Sequence, residues 1–469
     1  MFVDGRICME QKQFVTEIAN KLQKNKCDLF VGSGISAPSG LPTWGAFLQG
    51  YLADMKIKLR EADDLPLLAQ YIVNQNSGNR NIISEAVFNA FGGDYPLNSY
   101  HAAIANFPVK TIWTTNYDSL LEKAFADHKI RVISSENDFL HPYDPTELEI
   151  IKLHGCAKTS AQEIILTRAD YDCFLYNKPK IAQHLREALI ERSLLFLGYS
   201  YHDPNIHAIM TQAYQMMGKF THMHYILTDA PKRKKTESKM DFLERKKRFQ
   251  YWILELRRIG ICELCVPRDE VNIVLDSIAE KARGNTVFVT GGHIIDNMTK
   301  DYARRVGKCL AQIPSVILNS GQSTGVGSVV LSAFLEHVLS KQQDINKRIR
   351  VFPNPYAVSP AYGNDLSLIS ALKQVRAPLI ADSTFVILFP GGFGTKAEAE
   401  LACAKGRLVL PVVLKKSDYN TEAIVYILDN AKNTAQLKKK IPDYCHYLKQ
   451  RRVPSPKVIL KAIKEIINE

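Results

Sequence analysis

Cys27-Asp28-Leu29-Phe30-Val31-Gly32-Ser33-Gly34-Ile35-Ser36-Ala37-Pro38-Ser39-Gly40-Leu41-Pro42 decides the fold of this chain. Residues 27–31 form a short apolar run, and residues 32–37 fit the pattern GxGxxA. Helical spacing precedes them, with Phe14, Ile18 and Leu22 on one face of residues 9–27. A strand that runs into GxGxxA and then a helix is the βα turn of a Rossmann-like unit, so the expected class is α/β.

Working outward, helical patterns cover 45–55, 65–76, 81–91, 99–106 and 119–126, and strand patterns cover 109–114, 149–153 and 193–197. Three polar motifs follow strands: Thr115-Asn116-Tyr117-Asp118, then His154-Gly155, then Gly198-Tyr199-Ser200-Tyr201-His202-Asp203-Pro204-Asn205. Each lies just past the carboxyl end of its strand, where open α/β sheets bind ligands. A charged stretch over 232–258 reads as helix and precedes a last strand at 261–266. After Ala282-Arg283-Gly284-Asn285 the pattern restarts with a strand at 286–289 and a glycine turn, Gly291-Gly292. The expected domains are therefore 1–284 and 285–469. The second continues through strands at 316–318, 348–352, 384–389 and 408–414, and ends in helices.

At 469 residues, 46% apolar and 23% charged, the chain is globular and too long for one ordinary core. Its apolar runs stay short of the roughly 18 to 20 residues of a membrane span. Met1-Phe2-Val3-Asp4-Gly5-Arg6 is followed by no apolar signal-peptide core, so a cytoplasmic protein without membrane association is expected. Nine cysteines, thinly spread, suit reduced thiols, with most of them small core residues. Cys262 and Cys265 are half of a zinc pattern and read as strand packing. His202, His207, His222 and His224 are close in sequence but have no carboxylate or cysteine at ligand spacing, so no metal is expected. The net charge of +12 fits anionic partners, but the basic runs lack interleaved aromatics, which points away from nucleic acid.

Gly32 to Pro42 stands where Sir2 (sirtuin-type) NAD-consuming enzymes carry GAGIS-x-x-x-G-I-P, departing at Ser33 and Leu41. TNYD stands for T-x-N-x-D, His154-Gly155 for the family's HG, and Gly198-Tyr199-Ser200 for its late G-x-S loop. These four pieces, in order, make residues 1–284 resemble a Sir2 domain. The resemblance implies NAD+ as substrate, held at its pyrophosphate by Gly32, Ser33, Gly34, Ile35 and Ser36. Glycines let backbone approach phosphate, and a helix start offers free N–H groups. Asn116 is neutral and both donates and accepts, which suits a ribose hydroxyl or the attacking water, and by resemblance it serves the nicotinamide ribose. By resemblance His154 is the catalytic histidine, and a mostly neutral imidazole can accept a ribose proton. Asp118 reads either as a site residue or as the N-cap of the following helix. Ser200, Asp203 and Asn205 read equally as adenosine-side contacts or as a turn and cap. Sir2 protein deacylases carry a zinc module with two CxxC pairs after HG; here only Cys156 and Cys173 intervene before Gly198. Water is then the expected acceptor, and the reaction is NAD+ hydrolysis to nicotinamide and ADP-ribose.

Pro390-Gly391-Gly392-Phe393-Gly394-Thr395-Lys396-Ala397-Glu398 matches PGGxGTxxE, the signature of the nucleotide-binding SLOG superfamily, best known for cytokinin-activating phosphoribohydrolases. Thr395 and Glu398 also have capping-box spacing. With Gly291, Gly292, Gly325, Gly327, Ser328 and Arg376, residues Gly391, Gly392, Gly394, Thr395 and Glu398 are the candidates for a second nucleotide site. A zinc-free Sir2 domain followed by a SLOG domain resembles the NAD-depleting effectors of the bacterial Thoeris anti-phage systems. That resemblance implies a homo-oligomer, a tetramer, whose SLOG domain senses a cyclic ADP-ribose isomer made by a TIR-domain partner protein. The alternative is nucleoside monophosphate phosphoribohydrolase chemistry in the SLOG domain, with the Sir2 domain as an NAD-binding module.

Overall fold

The computed structural model describes residues 9–60, 63–142, 144, 147–158, 163–201, 203–218, 222–233, 235–352 and 376–467. It divides into two compact units, Met1–Ala282 and Arg283–Glu469. Each is built on a parallel sheet, so the expected α/β class with two Rossmann-like sheets holds.

In the first unit the strands are β1 (Cys27–Val31), β2 (Thr111–Thr114), β3 (Ile130–Ile133), β4 (Leu148–Lys152), β5 (Ser193–Leu197), β6 (His224–Asp229) and β7 (Ile261–Val266). They form one seven-stranded sheet in the order β3-β4-β2-β1-β5-β6-β7, with parallel pairing throughout. Every residue of β1, β2, β4 and β5 is buried, because helices cover both faces. That is why these strands read as apolar runs rather than as alternation. Polar residues within them are partnered: Asp28 of β1 lies 3.0 Å from Arg192 and accepts from Trp113 Nε1 at 3.4 Å. Burial raises the Asp28 carboxyl above its ordinary pKa, and Arg192 only partly offsets this.

The chain leaves β1 toward β2 on one side and returns as β5 on the other. The β1 and β5 loops therefore meet at the topological switch point, on the carboxyl side of the sheet.

Several element boundaries differ from the sequence reading. Edge strand β3 escaped the apolar-run criterion because three of its four residues are half-buried and Arg131 pairs with Glu149 at 3.0 Å. The long charged helix spans Lys239–Arg258 rather than starting at 232, because Ser238 caps it by accepting from the Asp241 N–H at 3.0 Å. Cys265 on β7 is exposed, unlike the core position expected of most cysteines, whereas Cys27, Cys156, Cys309 and Cys445 are buried.

The second unit carries β8 (Asn285–Thr290), β9 (Val316–Ser320), β10 (Ile349–Val351), β11 (Phe385–Leu388) and β12 (Leu408–Pro411). Their order is β10-β9-β8-β11-β12, all parallel. Its switch point lies between β8 and β11, where the Gly292 N–H donates to the Pro390 carbonyl at 3.0 Å. Among the described residues, no helix is long and apolar enough to cross a membrane.

Candidate active site

The carboxyl ends of β1, β2, β4 and β5 surround a cavity of about 560 Å³. Ser33, Ser36, Asn116, Asp118, His154, Ser200 and Asp203 line it. Of the first-unit candidates, Gly32, Gly34, Ile35 and Asn205 are not among its lining residues.

Asn116 is held at the end of β2. Its backbone N–H donates to Thr114 Oγ1 at 3.0 Å, and its Nδ2 donates to Ser36 Oγ at 3.2 Å. The Oδ1 atom is buried without a hydrogen-bond partner, an acceptor waiting for a donor. Asp118 both lines the cavity and receives the Leu120 N–H at 3.0 Å, so it braces the start of the next helix, Leu120–Ala124. Beneath it, buried Lys152 donates to Glu122 at 2.7 Å and to the Asp118 carbonyl, tying the β2 loop to β4.

His154 is buried at the end of β4, edge-on to Tyr171 with ring centroids 5.4 Å apart. Its Nε2 lies 2.9 Å from Asp203 Oδ2, at ion-pair distance but off hydrogen-bond alignment. Asp203 therefore faces the histidine, and sequence reasoning missed this role. Its Oδ1 accepts from Asn205 N and Ile206 N at 2.9 and 3.0 Å, capping the helix Pro204–Met217 and fixing the carboxylate. Burial pushes the Asp203 carboxyl up, but the His154 charge, their contact and the two N–H donors outweigh it, leaving its pKa below the ordinary value. The aspartate thus stays ionised at neutral pH, with its charge beside the imidazole.

The Gly-rich loop packs directly against the loop that follows β5. The Gly32 N–H donates to the Leu197 carbonyl and the Gly34 N–H to the Gly198 carbonyl, both at 2.9 Å, and the Ile35 N–H goes to the Gly32 carbonyl at 3.2 Å. A Cβ on Gly34 would sit 2.8 Å from the Gly198 carbonyl oxygen. Gly198 adopts φ +60, and a Cβ there would sit 2.6 Å from the Ile35 nitrogen. Ile35 itself belongs to the core. These glycines let the β1 and β5 loops touch, which sets Ser36 against Asn116. Gly198→Ala is expected to destabilise the first unit by about 2 kcal/mol or more, read as a lowered thermal midpoint. An unchanged midpoint would show that the loop contact is dispensable.

Sequence reasoning also missed the aromatic residues Trp44, Phe91, Tyr117 and Tyr171 and the charged residues Asp63, Asp64 and Arg168 of the lining. Only contacts between distant segments reveal them.

In the second unit, a Cβ on Gly325 would strike the Gly292 carbonyl, and Gly325 adopts φ +71, so the β8 and β9 loops interlock there. Ser328 Oγ donates to the Gly325 carbonyl at 3.0 Å. Glu398 accepts from Thr290 Oγ1 and lies 3.0 Å from Arg376 Nε. The capping-box spacing of Thr395 and Glu398 is not used: Gly392 is the N-cap of helix Phe393–Ala404, and no side chain caps it. Thr395 is buried against Gly391, and Gly394 leaves room for the Arg376 guanidinium. Gly291 and Gly292 follow β8. Gly321 and Gly327 line a void of about 10 Å³.

Among the described residues, no group of three or more His, Cys, Asp or Glu side chains is placed to hold a metal ion. His224 instead accepts the Leu194 N–H at 3.1 Å through Nδ1, and burial drives its pKa down to about 3. His202 lies outside the described residues.

A SIR2-like domain family matches residues 110–251, the segment that carries Asn116, His154 and Asp203. The chain is 26% identical over 442 residues to the NAD(+) hydrolase ThsA of Cytobacillus dafuensis, covering 86% of this chain and 85% of that protein. It is 25% identical over 424 residues to the ThsA of Enterococcus faecium, covering 85% and 84%. With the ThsA of Bacillus cereus (strain MSX-D12) it shares 26% over 351 residues, covering 72% and 73%. The chain is thus a Sir2-containing protein of ThsA-like build, and the similarity extends across both units.

Proposed function

We propose that the first-unit cavity cleaves NAD+ to nicotinamide and ADP-ribose, with water as acceptor. The observation that carries this is the buried His154–Asp203 pair sharing a cavity with Asn116, whose Oδ1 lacks a partner. The relatives named NAD(+) hydrolase support it. In the reaction the bond from ribose C1′ to the nicotinamide nitrogen breaks, and its electron pair neutralises the cationic ring. The positive charge passes to the ribose as an oxocarbenium-like state. Asn116 Oδ1 accepts from a ribose hydroxyl or the attacking water, and His154 takes up a proton and is backed by Asp203. The aromatic residues and the carboxylates of the lining suit a cationic nicotinamide ring. The test is nicotinamide release from NAD+ by the full chain; its absence under every condition, activator included, would refute the reading.

The second unit serves, in this reading, as a SLOG-type sensor for a cyclic ADP-ribose isomer made by a TIR-domain partner protein. Binding there activates the Sir2 domain within a cytosolic homo-oligomer and depletes NAD+ in Thoeris-type anti-phage defence. Support comes from the Rossmann-like strand order, the interlocked glycine loops at the switch point and the Arg376–Glu398 pair beside them. Activation requires the ligand to bind the active arrangement better than the resting one. Glu398→Ala or Arg376→Ala should therefore raise the activator concentration needed by about tenfold or more, with maximal turnover retained. An unchanged activation curve in both variants would remove these residues from the sensor.

A further inference from the structure

We infer that Arg168 is the residue that holds the pyrophosphate of the dinucleotide, and that Asp64 competes with the substrate for it. This deepens the proposed NAD+ cleavage and rests on that reading.

The argument begins with charge. Two phosphates must enter a cavity whose lining includes Asp63, Asp64, Asp118 and Asp203. Arg168 is the one Lys or Arg among the cavity's described lining residues. The Gly-rich loop cannot take the whole load, because the Gly32, Gly34 and Ile35 amides already donate to carbonyls. A planar guanidinium matches phosphate oxygens in a two-pronged contact that no neutral donor in the lining can equal.

Position supports the assignment. Arg168 opens the helix Arg168–Asp172, which is firmly seated: Asp170 accepts from Leu166 N and Thr167 N at 3.0 and 2.8 Å, and Ala169 N donates to Gln70 at 3.1 Å. The base of the side chain is fixed while its head remains half exposed. Arg168 Nη1 meets Asp64 Oδ2 at 3.0 Å, and Nε meets Asp172 Oδ1 at 3.1 Å. Both pairs are solvent-exposed and so contribute little net free energy, which makes them easily displaced by a doubly charged pyrophosphate. Asp64 can let go without local unfolding, since its Oδ1 separately caps the helix Leu65–Gln75 by accepting from Leu67 N at 3.1 Å.

The test uses the full chain, with ADP-ribose binding by calorimetry and nicotinamide release as separate readouts. Arg168→Ala should weaken ADP-ribose binding and raise KM for NAD+ about tenfold to a hundredfold, the loss expected for a charged hydrogen-bond partner, while kcat changes little. Arg168→Lys should recover part of the binding. Asp64→Asn keeps the helix cap but drops the competing charge, so it should tighten ADP-ribose binding. Nicotinamide riboside, which lacks phosphates, should be cleaved alike by wild type and Arg168→Ala. ADP-ribose binding equal to wild type in Arg168→Ala would overturn the assignment and leave NAD+ cleavage standing. An equal loss on riboside and dinucleotide would also overturn it, as a merely structural effect. A wild-type chain that neither binds ADP-ribose nor releases nicotinamide would take both readings down.

Discussion

Replacing His154 with alanine should lower nicotinamide release by about 10²-fold or more, and Asn116→Ala should do the same, the scale expected when a group acting on the transition state is removed. The two losses have different causes. His154→Ala removes the imidazole proposed to accept a proton and leaves Asp203 a buried carboxylate without the ring it faces. Asn116→Ala removes an oxygen that has no other hydrogen-bond partner, so little of the resting structure depends on it beyond the contact to Ser36. Asn116→Ala should therefore lose catalysis at nearly unchanged thermal stability. Full turnover in either variant would remove that residue from the chemistry.

Asp203→Asn is the second substitution of large expected effect, about 10² to 10⁴ in kcat by analogy with carboxylates that orient and stabilise a catalytic imidazole. Asparagine can still accept from Asn205 N and Ile206 N, so the helix cap and the fold should survive. KM for NAD+ should change little, since the carboxylate acts through His154. A rise in KM with kcat intact would place Asp203 at the adenosine end instead. Acid stability gives an independent check. The folded-state pKa of Asp203 is lowered, so its contribution is complete above the unfolded value of about 3.9 and is lost as pH falls through the folded value. Asp203→Asn should accordingly flatten the fall in stability below about pH 4 without altering its slope near neutrality.

The α/β class was legible because parallel strands buried on both faces are predominantly apolar, as in residues 27–31 and 193–197. The edge strand at 130–133 was not, since one covered side suffices to hold it and Arg131 can reach Glu149. Asn116 and His154 were readable because each ends a strand inside a recognisable motif. A second duty of the glycines was not: Gly32 and Gly34 read as phosphate approach, and the fold adds that they also let the loop pack on the Gly198 loop, more than 160 residues away in the chain. Asp203 read equally as an adenosine-side contact or a cap; it is a cap through Oδ1, and only the fold shows that Oδ2 faces His154. Arg168 gave no signal, because neither spacing nor motif ties it to the cavity that long-range packing creates.

The central claim is that this first-unit cavity hydrolyses NAD+. Its most direct test is chromatographic product analysis of NAD+ incubated with the full chain and with Asn116→Ala, each in the presence and absence of cyclic ADP-ribose isomers. Nicotinamide and ADP-ribose formed in equal amounts by the wild type, and abolished in Asn116→Ala, is the result expected. NAD+ left intact by the wild type under every condition, or cleaved equally by the variant, would contradict it.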